Sequence, residues 1–134
     1  KIISGGEMSR VMLAFKTVLA GIDDIPVLIF DEIDTGISGR IASVVGEKMS
    51  SLSHSHQVVC VTHLPQIAVM ADIHYKIEKQ IEEGHTRTMV YLLDEKGRRN
   101  EIAKLIGGAE ISQIGLEHAQ ELIESAREIK EAIN

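Results

Sequence analysis

Tryptophan is absent from these 134 residues, and Phe15, Phe30, Tyr75 and Tyr91 are the only aromatics. So sparse a set excludes a surface that holds single-stranded nucleic acid by stacking bases on rings. The single cysteine, Cys60, allows no internal disulfide, which fits a reducing cytosol. The longest apolar stretch, Ile25 to Phe30, is far short of the ~20 residues that cross a bilayer. Basic residues are outnumbered, 14 against 20 acidic, for a formal net charge of −6. Between residues 110 and 134 six glutamates stand against Arg127 and Lys130, and the one local basic cluster, Lys96, Arg98 and Arg99, reads as a turn. Duplex binding by this chain alone would need a basic face that it does not have. No targeting composition precedes Ser4-Gly5-Gly6-Glu7, and the opening at Lys1 marks the sequence as a piece of a longer chain.

What is present is enough aliphatic material, within 44% hydrophobic residues, to fill the core of one domain. Apolar residues at 8, 11, 12, 15, 18 and 19 form the stripe of a half-buried helix, with Gly21 ending it and Asp23, Asp24 and Pro26 turning the chain. Val27-Leu28-Ile29-Phe30 and Val58-Val59-Cys60-Val61 are continuous apolar runs, the pattern of strands covered on both faces. Between them Ile41, Val44, Val45, Met49 and Leu52 repeat a helical stripe, with Ser38 as its N-cap. A short helical stretch follows Pro65 to about Met70. Ile73–Gln80 and Thr86–Leu93 then read as a hairpin joined through Glu82-Glu83-Gly84. A short helix over 101–106, stopped by Gly107-Gly108, and a long one striped by Ala119, Leu122, Ile123, Ala126, Ile129 and Ile133 complete the chain. The order predicts an α/β layered domain.

Three groups of residues can carry chemistry. Ser4-Gly5-Gly6-Glu7 stands at the mouth of a helix, where free amides and the positive dipole end receive an anion such as phosphate; the same residues also make a plain capped helix. Asp31-Glu32, with Asp34 close behind, ends an apolar strand, the place where open α/β sheets bind ligands. Asp31 has the hard oxygen that Mg²⁺ prefers, and Glu32 can orient and deprotonate a water; a solvated acidic turn is the plainer alternative. Thr62-His63 follows the second strand, where the histidine can donate a hydrogen bond to a γ-phosphate or to attacking water, or simply sit satisfied in the core. His54 and His56 read as solvated loop residues, poorly placed to share zinc with Cys60 inside a sheet.

Taken together and in this order, the three groups resemble the motifs of ABC-type ATPases. Ser4-Gly5-Gly6-Glu7 resembles the signature motif, Val27 to Glu32 the Walker B strand with its catalytic glutamate, and Val61-Thr62-His63 the switch histidine. Glu7, where transporter subunits usually carry Gln, is similar to the chromosome-maintenance (SMC) and repair branch. Ser38 stands where the family commonly has the D-loop Asp. No glycine precedes a Lys-Ser or Lys-Thr pair, so the phosphate-cradling P-loop is missing.

The resemblance implies that residues 1–134 are a single domain, the C-terminal lobe of an ABC-type P-loop ATPase head, with a layered sheet flanked by helices. It implies ATP and Mg²⁺ as cofactors, with Asp31 on the metal and Glu32 and His63 catalytic. Ser4, Gly5, Gly6 and Glu7, with Ser38, would contact nucleotide across a homodimer of heads. It further implies an N-terminal lobe and coiled coil supplied elsewhere in the protein, DNA contact mainly through those parts, no membrane, a cytoplasmic and nucleoid location, and work in DNA double-strand break repair and recombination. The chain alone is then inactive. Two other classes stay open, a non-catalytic docking module on the same fold and a fragment of a transporter's nucleotide-binding domain.

Overall fold

The computed structural model describes residues 4–19, 22, 24–82 and 85–133. Helix α1, Gly5–Leu19, begins with a reciprocal cap. The Ser4 amide donates to Glu7 Oε2 at 2.9 Å, and the Glu7 amide donates back to Ser4 Oγ at 3.3 Å, so two otherwise orphaned donors are satisfied. Strands β1, Val27–Phe30, and β2, Gln57–Cys60, pair in parallel, with Leu28 beside Val58 and Phe30 beside Cys60. They are joined through α2, Gly39–Leu52, because parallel neighbours need a crossover. The short α3, Pro65–Ala68, starts on Pro65, whose fixed φ suits a first helical position. A hairpin follows, β3 Tyr75–Glu82 against β4 His85–Leu92. Two helices, α4 Glu95–Gly107 and α5 Gln113–Ile133, close the chain.

Two apolar clusters hold this together. Leu13, Leu28, Phe30, Ile33, Ala42, Val45, Met49, Leu52 and Ile67 gather α1, α2 and α3 on one face of the β1–β2 pair. Ala68, Val69, Met70, Ile102, Ala103, Ala119, Ile123 and Ala126 join the end of α3 to α4 and α5. Helix α3 therefore belongs to both.

The mixed α/β class and the order of elements agree with the sequence reading; several details do not. The strands are covered on one face only. Leu28 and Phe30 are buried, while Val27, Val59 and Val61 are exposed and Ile29 keeps 72% of its surface open. The described strands form two separate two-stranded sheets, not one layered sheet. The stripe of α1 is inverted in the same sense: Met8, Val11, Met12, Phe15, Val18 and Leu19 are exposed, and Leu13 with Gly6 supplies the buried side. Hydrophobic periodicity reports which residues need cover; it does not say which part of a protein provides it.

Lys96, Arg98 and Arg99 lie in α4, not in a turn. That helix starts earlier than expected because the Asp94 carboxylate accepts from the Gly97 amide and caps it. Arg98 is spent on structure, its Nη2 donating to the carbonyls of Val69 and Ala71 at 2.7 Å each. His56 is buried with its Nδ1 2.8 Å from Ser55 Oγ, so it is not a solvated loop residue. Ser38 does occupy the N-cap position of α2, but its side chain makes no capping hydrogen bond. The expected helix stop at Gly21, the turn residue Asp23 and the hairpin-turn residues Glu83 and Gly84 lie outside the described residues.

The two kinds of apolar position should separate in unfolding experiments. Ile102→Ala, at a site with 0% exposure, should cost about 2–5 kcal/mol through lost burial and the cavity left behind. Ile29→Ala, on the open face, should cost well under about 1 kcal/mol in this chain by itself. Denaturant melts giving equal losses would show that the β1–β2 face is covered in solution.

Candidate functional site

The carboxyl ends of β1 and β2 lie side by side, because Phe30 pairs with Cys60 and the Val61 amide donates to the Phe30 carbonyl at 3.1 Å. The residues just beyond each strand therefore share one place. Asp31 and Glu32 leave β1 on the surface, and Thr62 and His63 leave β2. Parallel strands put both exits at the same sheet edge, the geometry by which α/β sheets build sites.

Asp34 ties the two exits together. Only 5% exposed, it accepts on one oxygen, Oδ2, from the Thr62 hydroxyl at 2.7 Å and the His63 amide at 2.9 Å, with His63 Nδ1 also at 2.9 Å. Burial alone would push its carboxyl up. The hydrogen bonds from Thr62 and the His63 amide, with the His63 ring beside it, outweigh burial and hold it below the usual carboxylate range. The imidazole of His63 is otherwise 73% exposed.

The mouth of α1 reaches the same place. Ser9 Oγ donates to the Asp31 carbonyl at 2.9 Å, and Arg10 Nη1 donates to the carbonyls of Ile33 at 2.9 Å and Thr35 at 2.8 Å. A β-carbon at Gly5 would stand 2.4 Å from Glu32 Oε2, which sets that carboxylate against the first turn of α1, where the dipole favours negative charge. A β-carbon at Gly6 would meet the Glu32 carbonyl at 2.7 Å and the Thr35 side chain at 3.0 Å. Glycine at position 6 is thus required by the closeness of the acidic loop, a backbone that cannot step aside.

Glu32 is the only described non-glycine residue with a positive φ, 56°. Its amide donates to its neighbour's Asp31 Oδ1 at 2.9 Å, and its carbonyl accepts from the Thr35 amide at 3.0 Å. Those bonds and the Ser9 and Arg10 clamps hold a residue in a conformation that costs of order 1–3 kcal/mol, a reservoir often found at functional positions.

The structure sets Gly5 and Gly6 against Glu32, with Ser4 and Glu7 at the same end of α1, and joins His63 to the loop after β1 through Asp34. Ser4 and Glu7 are engaged with one another. Besides the two amide bonds, Ser4 Oγ donates to Glu7 Oε2 at 3.1 Å, and the Ser4 amide, then its hydroxyl, hold Glu7 below its usual range. Ser38 lies at the head of α2, and among the described residues no side-chain hydrogen bond joins it to the others. Sequence reasoning noticed Asp34 without giving it a role and passed over Ser9 and Arg10. The available signal was weak: a third acid after the pair, and two polar residues one turn into an apolar helix.

Among the described residues no group of three or more His, Cys, Asp or Glu side chains could enclose a metal ion. Burial, aided by Asp34 and Asp31, pushes the Cys60 thiol up to about 12, which leaves it protonated and unreactive at neutral pH. A cavity of about 380 Å³ lies elsewhere, between the hairpin base, α4 and α5. Of its charged lining, Arg127 pairs with Glu95 and Lys130 with Asp72, while Asp94 caps α4 and Arg98 donates to the Val69 and Ala71 carbonyls.

The fold and the site define a small α/β domain whose polar residues converge at the carboxyl end of a parallel strand pair. No family model matches the sequence. It is 45% identical over 130 residues to the DNA repair protein RecN of Bacillus subtilis, and 50% identical over 122 residues to that of Deinococcus radiodurans. The RecN of Treponema pallidum is 48% identical over 123 residues. These alignments take in 97%, 91% and 92% of the chain but only 23%, 21% and 22% of the relatives. The chain belongs to the RecN family as a segment spanning about a fifth of the length of the curated relatives it matches.

Two measurements test the geometry of the site. Glycine accepts the backbone of residue 32 freely, so Glu32→Gly should raise unfolding stability by up to about 1 kcal/mol, the relief of strain less the added chain entropy. A loss in urea melts would show that residue 32 is unstrained. The depressed Asp34 value means that its stabilisation is complete above the ordinary value of 3.8 and disappears as pH falls through the lower folded value. The stability gap between wild type and Asp34→Asn should therefore be wide at pH 7 and narrow steadily below about pH 4.

Proposed function

We propose that this chain is the signature-bearing C-terminal lobe of an ABC-type, SMC-like ATPase head, working within a RecN-type protein in DNA double-strand break repair and recombination. The observation that carries the reading is the convergence, at one sheet edge, of the Ser4–Glu7 helix mouth, the Asp31–Glu32 pair and Thr62-His63. Identity with RecN over nearly the whole chain supports it.

In this reading the lobe supplies half of a reaction. Glu32 takes the proton from the water that attacks the γ-phosphorus of ATP, and the γ-phosphoryl group passes to that water as ADP leaves. Asp31 would hold Mg²⁺, and the ion, when bound, would supply positive charge to offset that of the phosphates. Ser4 and the amides of Gly5 and Gly6 receive the γ-phosphate bound by a second head, once the Ser4 hydroxyl turns from Glu7 toward it. Ser38, in the D-loop position, faces the partner head as a cap without a carboxylate. Hydrolysis then removes the phosphate contact between heads and lets them part.

The rest of the protein completes the lobe. The exposed face of β1–β2 and the outward stripe of α1 are apolar surfaces of the kind that are buried in complete α/β domains. An N-terminal lobe carrying the P-loop covers them in this reading. Contact with DNA falls mainly to other segments, since the chain has a net charge of −6. No helix among the described residues is long and apolar enough to cross a membrane.

The test is made on the complete protein. Glu32→Gln should retain ATP binding, lower turnover about 10²–10⁴-fold and keep the heads associated in ATP, as read by a coupled phosphate assay and light scattering. Ordinary turnover by that variant would remove Glu32 as the base.

A further inference from the structure

We propose that Asp34 is a positioning residue that fixes the tautomer of His63, so that the neutral ring presents Nε2 as a hydrogen-bond acceptor to the water that attacks the phosphate. The role assigned to that water rests on the ATPase reading above, whereas the tautomer itself rests on the geometry alone.

An ionised carboxylate can only accept hydrogen bonds. Oδ2 of Asp34 lies 2.9 Å from His63 Nδ1 and already takes the Thr62 hydroxyl and the His63 amide. Its carboxyl is held below the usual range, and so it is ionised at neutral pH. Nδ1 must therefore carry the ring proton. In the neutral imidazole the remaining nitrogen, Nε2, is then a lone pair, and the ring is exposed on that side.

That assignment changes what His63 can do. A lone pair cannot donate to a phosphate oxygen, which is itself an acceptor. It can accept a hydrogen from water, and a water held this way still has its other hydrogen to give to Glu32. Both exits of the strand pair would then grip one water from two directions.

The bond is also well placed to persist. Asp34 lies in the turn after β1, where the Ile37 amide donates to its carbonyl at 3.4 Å. Thr62 Oγ1, while donating to Asp34, accepts from the Leu64 amide at 3.0 Å. Asp34 and Thr62 are thereby each held by a second bond, the arrangement by which outer-shell groups orient histidines.

Two readouts on the complete protein decide the proposal. With ¹⁵N-labelled histidine, the His63 ring in its neutral form should show a protonated Nδ1 and an unprotonated Nε2, and a protonated Nε2 in the neutral wild-type ring would overturn the assignment. This spectrum needs no variant, so it stands even if Asp34 substitutions fail to fold, and it is independent of any ATPase activity. In turnover assays Asp34→Asn, whose amide can donate to Nδ1 and invert the tautomer, should lower kcat about 10–100-fold with KM for ATP unchanged within about twofold. Combined with His63→Ala, it should add nothing further. Losses that multiply in the double variant would overturn the positioning role. If the wild-type protein hydrolyses no ATP while the ring is protonated at Nδ1, the tautomer stands and the ATPase reading falls.

Discussion

One oxygen atom organises the end of the sheet. Oδ2 of Asp34 gathers the Thr62 hydroxyl, the His63 amide and the His63 ring, and in doing so it joins the chain leaving β1 to the chain leaving β2. A buried carboxylate without partners would be expelled to water or neutralised. With three donors it is stable as an anion, and removal of any one would leave charge poorly compensated in a closed place. That constraint fixes where both exit loops can lie. Everything polar at this edge takes its position from it.

The second constraint is proximity. Helix α1 approaches the acidic loop so closely that no side chain fits at Gly6, and Ser9 and Arg10 use the closeness to bind three carbonyls of the loop. The loop in turn holds Glu32 at a φ of 56°. Local strain, a glycine and two side-chain clamps are thus one device, with the strain offset by bonds that span 22 to 25 residues of sequence. Polar convergence of this kind is hard to account for by packing alone, since an apolar turn would meet the same steric demand with less desolvation.

Much of this could be read from the residues. Strong periodicity located α2 and α5, the alternating runs located the hairpin, and the three polar groups were found because each follows or precedes a regular element at its end. What was misread has a common cause. Val27, Ile29, Met8 and Phe15 carry the signature of burial, yet they are exposed here: a pattern marks residues that need cover, and nothing within this chain supplies it among the described residues. The start of α4 was missed for another reason, since a single aspartate cap at Asp94 recruited a charged stretch that periodicity does not mark. Asp34 escapes because its partners, Thr62 and His63, lie 28 and 29 residues further along the chain, and no local rule couples them.

The short helix after His63 has a mechanical meaning. Pro65 starts it, Ile67 is sunk in one apolar cluster, and Ala68, Val69 and Met70 are sunk in the other. Arg98 then grips the carbonyls of Val69 and Ala71. From Thr62 to Ala71 the backbone is therefore tied to Asp34, to both apolar clusters and to Arg98, and the histidine stands at the head of that tethered stretch. The opposite wall, α1, is tied to the acidic loop by Ser9 and Arg10 and to the core by Leu13. A displacement of the first helix would therefore load the Glu32 loop directly through Ser9 and Arg10, and would reach His63 only through Asp34 and the shared core.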